Sequence, residues 1–380
     1  MKIVGKRLLT LNLPAGQSAF LWGPRKTGKT YWIRHNLPDA VVIDLLKTDV
    51  FAEYVSRPSL LRERFSETGK LVVIDEIQTV PELLNEVHWL IENRHVAFLL
   101  TGSSARKLRR KHANLLAGRA WRYTMTPLAY PEIGNWDLNR LMRSGLLPSH
   151  YISSDPRQDL RAYVANYLKE EIDSEAAVQS MPSFVEFLRI AACSTGELIN
   201  YCNVARESGV SAKAVRGYFQ ILEDTLLGYR LRPWIKAVKR RLIQTEKFYL
   251  FDVGLAHFLA GRTPIPGTPE FGHALEHYVM MELMAYRAYR NPELDIRFWR
   301  TSTGFEVDFI LGAMEVAIEV KSSARVGDHH IRGLRALMGE HKPAKAIVVC
   351  MENVPRKTED NIHILPIRHF CEELWSGALV

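Results

Sequence analysis

The stretch GPRKTGKT, Gly23 to Thr30, follows the apolar run SAFLW directly and opens onto a segment of helical composition. That order narrows the fold sharply. A glycine-bearing turn between strand and helix curls so that its N–H groups face one point, and the helix N-terminus adds its positive end there. The pattern is G-x-x-x-x-G-K-[ST], which fits a triphosphate. Gly23, Pro24, Arg25, Lys26, Thr27 and Gly28 form the cradle, Lys29 reaches the β- and γ-phosphates of ATP, and the Thr30 hydroxyl ligates Mg²⁺. The competing reading, a turn that only joins strand to helix, seldom fills all these positions by chance.

Downstream, LVVIDE carries four apolar residues into Asp75 and Glu76. An Asp at the carboxyl end of a buried strand beside a phosphate loop holds Mg²⁺ through water, and the adjacent Glu polarises the attacking water. Hydrolysis is therefore expected, not binding alone. The run VAFLLTGSS ends in Thr101, Ser103 and Ser104, polar groups where a γ-phosphate sensor would sit, and Arg119 in LLAGRAWR could stabilise transition-state charge within the chain or across a subunit interface. From Ser18 to Thr126, five short β-rich runs (SAFLWG, AVVID, LVVID, VAFLLTG, WRYTMT) alternate with helical segments. This predicts a parallel sheet with helices on both faces.

A length of 380 residues calls for two or three domains. No apolar run approaches the roughly 20 residues that cross a bilayer, and the N-terminal stretch is broken by Lys, Arg, Asn and Pro. The expectation is a cytoplasmic protein without a membrane partner. Cys193, Cys202, Cys350 and Cys371 are scattered without a CxxC pair, against a disulfide framework or structural zinc. Lys and Arg total 50 against 42 Asp and Glu, a mild bias toward polyanions. The basic residues also cluster, Arg106 to Lys111 in one run and Lys236, Lys239, Arg240 and Arg241 in another. Such runs are most often solvated faces.

Residues 127–182 read as a helical lid or connector, and residues 183–260 hold a helix-turn-helix pattern. A short helix ends at Ser208-Gly209 and a second begins after Ser211 as N-cap. On that second helix Val215, Phe219 and Leu222 recur at core spacing, whereas Lys213, Arg216 and Gln220 share the opposite face. Those three would meet DNA phosphates or base edges, with Lys239, Arg240 and Arg241 clamping the backbone. The alternative is a protein-contact module. LLGYRLRPW reads as a wing strand.

Residues 261–380 begin with a Gly/Pro-rich linker and run helix, three strands, helix, strand. Asp308 lies on FEVDFIL, and eleven positions later EVAIEVK carries Glu319 and Lys321 on one face of a paired strand. Two carboxylates and an ammonium, with Glu276 on the preceding helix, are the parts that metal-dependent phosphodiester cleavage needs. Mg²⁺ or Mn²⁺ is the expected ion. Salt bridges on an exposed sheet face are the plainer alternative. His257, His273, His277, His329 and His330 lack spaced partners and are expected at the surface or in packing.

On these motifs residues 15–135 resemble AAA-type P-loop ATPases. The order of everything after them resembles a bacterial and archaeal family that joins such an ATPase to a winged helix and a C-terminal nuclease-like domain of unknown function. GPRKTGKT, LVVIDEIQ, LLTGSS, LAGR, TPLAYPEI, KFYLFDVGLAHFLAG, EVDFIL and EVAIEVK carry the resemblance. Asp308 and Glu319-Val320-Lys321 are similar to the PD-(D/E)XK nuclease motif, and Glu276 to its helix acid, although Val307 stands where that motif often has Pro. The implied α/β fold is an AAA-type P-loop parallel sheet (1–126), a helical connector and winged helix (127–182, 183–260) and a PD-(D/E)XK-like domain (261–380). Self-association into a homo-oligomer is implied too. The function so implied is an ATPase on nucleic acid that positions a nuclease-like domain; the alternative is an ATP-driven regulatory or protein-remodelling switch whose last domain binds without cutting.

Overall fold

The computed structural model describes residues 5–67, 69–103, 116, 118–168, 180–235 and 245–380. These form two compact units, one of Lys6–Pro127 with Asp224–Leu227, the other of Gly5 with the described parts of Leu128–Glu223 and Gly228–Val380. Asp224–Leu227, inside the 183–260 part expected from sequence, group with the first unit. Compactness groups the described residues of 128–182 with the C-terminal unit. No helix among the described residues is long and apolar enough to cross a membrane, and all four cysteines are free thiols.

The first unit is built on β1 (Ser18–Trp22), β2 (Val41–Asp44), β3 (Val72–Asp75), β4 (Phe98–Gly102) and β5 (Ala120–Thr124). They pair in the order β2-β3-β4-β1-β5, every neighbour parallel. β3 and β4 are buried along their whole length, which explains why they read as unbroken apolar runs and not as alternating ones. Leu83, Leu84, Val87 and Leu90 of helix Leu83–Arg94 join Val72, Ile74, Phe98 and Leu100 in one apolar cluster. Because the strands are parallel, all their carboxyl ends, and the loops that follow, fall on one edge.

The second unit carries β6 (Gly228–Pro233), β7 (Lys247–Leu250), β8 (Ile296–Arg300), β9 (Glu306–Leu311), β10 (Val316–Val320), β11 (Lys345–Cys350), β12 (Arg356–Lys357) and β13 (Ile362–Pro366). Their order is β12-β13-β11-β10-β9-β8-β6-β7. Helix Pro269–Tyr289 starts at Thr268, whose side chain accepts from Phe271 N, with Pro269 in the first turn. It buries Phe271, Ala274, Leu275, Tyr278 and Val279 in the same core as Phe309, Ile318 and Val349. The last strands and helix Ile367–Ser376 extend beyond the elements anticipated from sequence.

The helix-turn-helix expectation is met locally. Asn200 caps Tyr201–Ser208 by accepting from Asn203 N at 3.0 Å, Gly209 ends it at φ +68°, and Ser211 accepts from Ala214 N at 3.2 Å ahead of Ala212–Asp224. Phe219 is buried against the rings of Phe187, Tyr201 and Phe248, while Lys213, Arg216 and Gln220 are exposed. The expected wing differs. β6 pairs antiparallel with β7 but also parallel with β8 through Arg232↔Arg297 and Pro233↔Phe298. The hairpin therefore edges the C-terminal sheet, and the buried Leu231, Phe248 and Tyr249 are the apolar reason it does so.

His257 and His277 are packing residues, as expected. Burial first, then the nearby Arg262, holds His257 down to about 4 from the ordinary 6.5, and burial holds His277 down to about 3 even though its Nε2 bonds the Leu250 carbonyl oxygen at 2.6 Å. An unfolded chain takes up both protons near pH 6.5 and the folded one only well below it, so their contribution is full above pH 6.5 and is lost as pH falls toward 4 and 3. Thermal melts between pH 7.5 and 5 should show falling stability on acidification. His257→Met, which replaces a ring whose buried Nδ1 has no hydrogen-bond partner, should flatten that slope; an unchanged slope would remove His257 from the account.

Candidate nucleotide site and acidic cluster

The turn after β1 holds Lys26 at φ +64° and Gly28 at φ +96°, which bends the backbone inward. Lys29 is buried in the curl, its Nζ donating to Gly23 O at 2.7 Å and Pro24 O at 3.3 Å. Thr27 Oγ1 closes the turn on Pro24 O at 2.8 Å. Arg7, which sequence reasoning missed, braces the loop from outside: its guanidinium donates to Thr27 O at 2.7 Å and Thr126 O at 2.6 Å. A Cβ at Gly23 would lie 2.5 Å from Met125 O, so the strand end leaves room for no side chain there.

Around this loop the polar groups converge on Asp75, which is 1% exposed. Thr30 Oγ1 donates to its Oδ2 at 2.8 Å, and the Thr101 hydroxyl donates to its Oδ1. Glu76 follows in the left-handed region at φ +60°, an uncommon conformation for this residue type. Gln78 donates through Nε2 to the Glu76 carboxylate and, at 3.3 Å, to Ser103 Oγ. Predicted residues Lys29, Thr30, Asp75, Glu76, Thr101 and Ser103 thus meet at one edge of the sheet. Gln78 is an addition, legible afterwards as the polar residue two places beyond the acid pair.

Arg119 is placed elsewhere. It precedes β5, whose first residue Ala120 pairs with Ser18, so it lies at the amino-terminal edge of the strands, opposite the loop. There it pairs with Glu92. A role on a phosphate bound by its own chain does not fit this register. Ser104 and the Arg106–Lys111 run lie outside the described residues, as do Lys236, Lys239, Arg240 and Arg241.

In the second unit Asp308 and Glu319 sit on the antiparallel pair β9 and β10. Asp308 Oδ2 accepts from Val320 N at 2.8 Å, and Lys321 Nζ lies 2.5 Å from Glu319 Oε1. Two of the acids expected as metal ligands, Glu276 and Asp308, lie beside a lysine that sequence reasoning did not single out. Among the described residues no group of three or more His, Cys, Asp or Glu side chains stands at metal-holding spacing. Lys247 lies among these acids. Its Nζ is 3.1 Å from Glu276 Oε1, 2.6 Å from Glu306 Oε1 and 3.8 Å from Asp308 Oδ1. Tyr249 OH donates to Glu276 at 2.6 Å. An inward-facing lysine on KFYLFD could have been noticed, since strand alternation puts Lys247 and Tyr249 on one side.

Electrostatics follow this geometry. Burial, then the charge of Glu276, pushes Asp308 up to about 6. Burial and neighbouring Asp308 push Glu319 well above the carboxylate range. For Glu276 burial acts upward, but the Lys247 ammonium and the Tyr249 hydroxyl outweigh it and hold the carboxyl below its usual value. On the middle helix Arg216 lies over the Tyr201 ring at 4.7 Å, and Gln220 accepts from Arg230 at 2.6 Å. Lys213, Arg216 and Gln220 do share an exposed face.

Residues 16–134 match the family model of an AAA domain. The loop, the buried Asp75 and the all-parallel sheet of the first unit fit that match to an AAA-type P-loop ATPase domain. Residues 135–265 and 271–370 match two models described only as domains of unknown function, DUF8612 and DUF4143. An uncharacterized protein of Mycobacterium tuberculosis is 28% identical over 319 residues, covering 80% of this chain and 70% of its own. An uncharacterized protein of Haemophilus influenzae is 23% identical over 302 residues, covering 72% and 73%. Among solved structures, the Aeropyrum pernix Orc1 protein in complex with DNA aligns over 64% of this chain and 86% of its own, at 12% identity and a TM-score of 0.29.

Gly102 bears directly on Gln78. An added Cβ would fall inside the contact radius of Gln78 Oε1 and 2.8 Å from the Trp22 ring. Gly102→Ala should dislodge the Gln78 amide from Glu76 and slow nucleotide hydrolysis by about a hundredfold while leaving nucleotide binding within a few fold. Equal turnover in the variant, measured as phosphate release, would show that Gln78 plays no part.

Proposed function

We propose that this protein is a Mg²⁺-dependent ATPase that acts on nucleic acid, its ATP turnover positioning a nuclease-like C-terminal domain on DNA. The observation that carries the ATPase part is the buried Asp75 carboxylate bridging the Thr30 and Thr101 hydroxyls beside Lys29 and Glu76.

Hard oxygen donors on Thr30 and Asp75, next to a loop whose N–H groups face inward, fit Mg²⁺ with a triphosphate. The ion would neutralise charge on the β- and γ-oxygens. Lys29 would leave the Gly23 and Pro24 carbonyls for those phosphates, and Glu76, steered by Gln78, would orient the attacking water. Thr101 and Ser103 would sense the terminal phosphate. Arg119 would serve such a site only from a neighbouring subunit, which goes with a homo-oligomer.

For the middle segment the winged-helix reading rests on the cap-turn-cap geometry and on exposed Lys213, Arg216 and Gln220. These would engage phosphates and base edges, with Lys239, Arg240 and Arg241 adding backbone contacts. For the last segment the PD-(D/E)XK reading rests on Asp308 and Glu319 facing each other from paired strands, Lys321 beside them and Glu276 on the flanking helix. One observation favours the rival reading, in which this domain binds without cutting: Lys247 already engages Glu276, Glu306 and Asp308.

Lys29→Ala should abolish ATP binding measured by calorimetry. Glu76→Gln should keep binding and lose turnover by on the order of a hundredfold or more; turnover equal to the parent would refute the assigned role. Lys213→Ala and Arg216→Ala should each weaken DNA binding at all sequences and lower its salt dependence by about one released counterion. Labelled linear, branched and single-stranded DNA incubated with Mg²⁺ or Mn²⁺, with and without ATP, separates cutting from binding.

A further inference from the structure

The acidic cluster of the second unit already contains a cation of its own. Lys247 is buried, its side chain 4% exposed, and its ammonium lies among Glu276, Glu306 and Asp308. Its backbone is clamped on both sides: it pairs with Leu231 of β6 and bridges Leu198, with Ile199 N donating to Glu246 O at 2.8 Å and Phe248 N to Glu197 O at 3.3 Å. The ammonium therefore cannot leave by a shift of the strand and is held where the carboxylates meet. The Phe298 ring, 5.7 Å from Nζ, closes its apolar side.

Counting charges shows how complete this neutralisation is. Glu276, Glu306, Asp308 and Glu319 bring four carboxyl groups. Lys247, Lys321 and Arg300 bring three cations, Arg300 pairing with Glu306 at 2.9 Å. The remainder is one negative charge at most, and a dication placed beside Lys247 would be repelled across a water-poor space. The oxygens are also engaged: Glu276 Oε1 takes Lys247 and Tyr249, Asp308 Oδ2 takes Val320 N, and Glu319 Oε1 takes Lys321. Glu319 Oε2 is buried without a hydrogen-bond partner.

We propose that Lys247 is a built-in counter-ion standing where a nuclease of this architecture would keep its divalent metal, so that the unliganded C-terminal unit holds neither Mg²⁺ nor Mn²⁺. The naming of a metal rests on the PD-(D/E)XK reading above; the displacement by Lys247 rests on the geometry. Removing that ammonium leaves the four carboxyl groups facing two cations, a balance that suits a dication.

The test is a titration of the full-length protein with Mn²⁺ alone, without nucleotide or DNA, followed by the electron paramagnetic resonance signal of free Mn²⁺. The parent protein should take up no Mn²⁺ that Asp308→Asn removes. Lys247→Met should gain one bound Mn²⁺, about tenfold or more tighter than anything in the parent, and the added change Asp308→Asn should abolish it. Lys247→Gln, which keeps polarity, serves if the Met variant does not fold, and circular dichroism reports folding in each case. Two results overturn the proposal: an Asp308-dependent Mn²⁺ site in the parent, or a folded Lys247 variant with no gain. The parent titration decides even if no variant folds. Since neither ATP nor DNA enters the experiment, a protein that fails to bind DNA leaves this outcome untouched, and DNA binding without metal uptake leaves the functional reading intact.

Discussion

The N-terminal unit depends on one buried carboxylate. Asp75 ends β3, Thr101 lies on β4, and Thr30 is in the first turn of the helix after the phosphate loop; both hydroxyls donate to Asp75. A carboxylate at 1% exposure would be costly alone, and the two charge-assisted hydrogen bonds offset that cost. In exchange, two strand ends and a helix start are fixed relative to one another. Arg7 does the same for the outer wall of the loop by joining Thr27 to Thr126. The site is thus built by polar ties between elements distant in sequence, on a sheet whose apolar packing leaves its carboxyl edge free for them.

The C-terminal unit solves a similar problem with opposite signs. Several acids are brought under one sheet by strand pairing, and a lysine supplies the missing charge from a strand whose backbone is pinned on both flanks. Buried ion networks of this kind add little net stability compared with an apolar core, because desolvation consumes most of the attraction. Their retention speaks for a role other than holding the fold, and the unpartnered oxygen of Glu319 fits that view.

What could be read from the chain followed how local the signal was. GPRKTGKT and LVVIDE are contiguous, their chemistry depends on neighbours in sequence, and the structure brings them together as read. The cap Ser211 was legible for the same reason, one side chain and the N–H three residues on. Arg119, remote from the loop in sequence, could be placed only through the sheet: parallel pairing of β5 with β1 carries it to the amino-terminal end of the strands. The wing strand was seen as a strand but not as a neighbour of β8, a pairing between segments more than sixty residues apart (Arg232↔Arg297). Lys247 looked like one more polar residue at a strand start; its burial becomes visible only when Glu276 arrives from helix Pro269–Tyr289 and Glu306 and Asp308 from β9. The strands Arg356–Lys357 and Ile362–Pro366 were hidden because one is only two residues long and the other ends in proline.

Glu76 has a consequence for how such a chain can change over time. Its left-handed backbone, φ +60°, is one that glycine or asparagine would occupy at lower energy. Either residue there would ease the backbone, and under the proposed role it would also remove the carboxylate that orients water. A carboxylate in so uncomfortable a posture would, under that role, mark a place where durability and work pull in opposite directions.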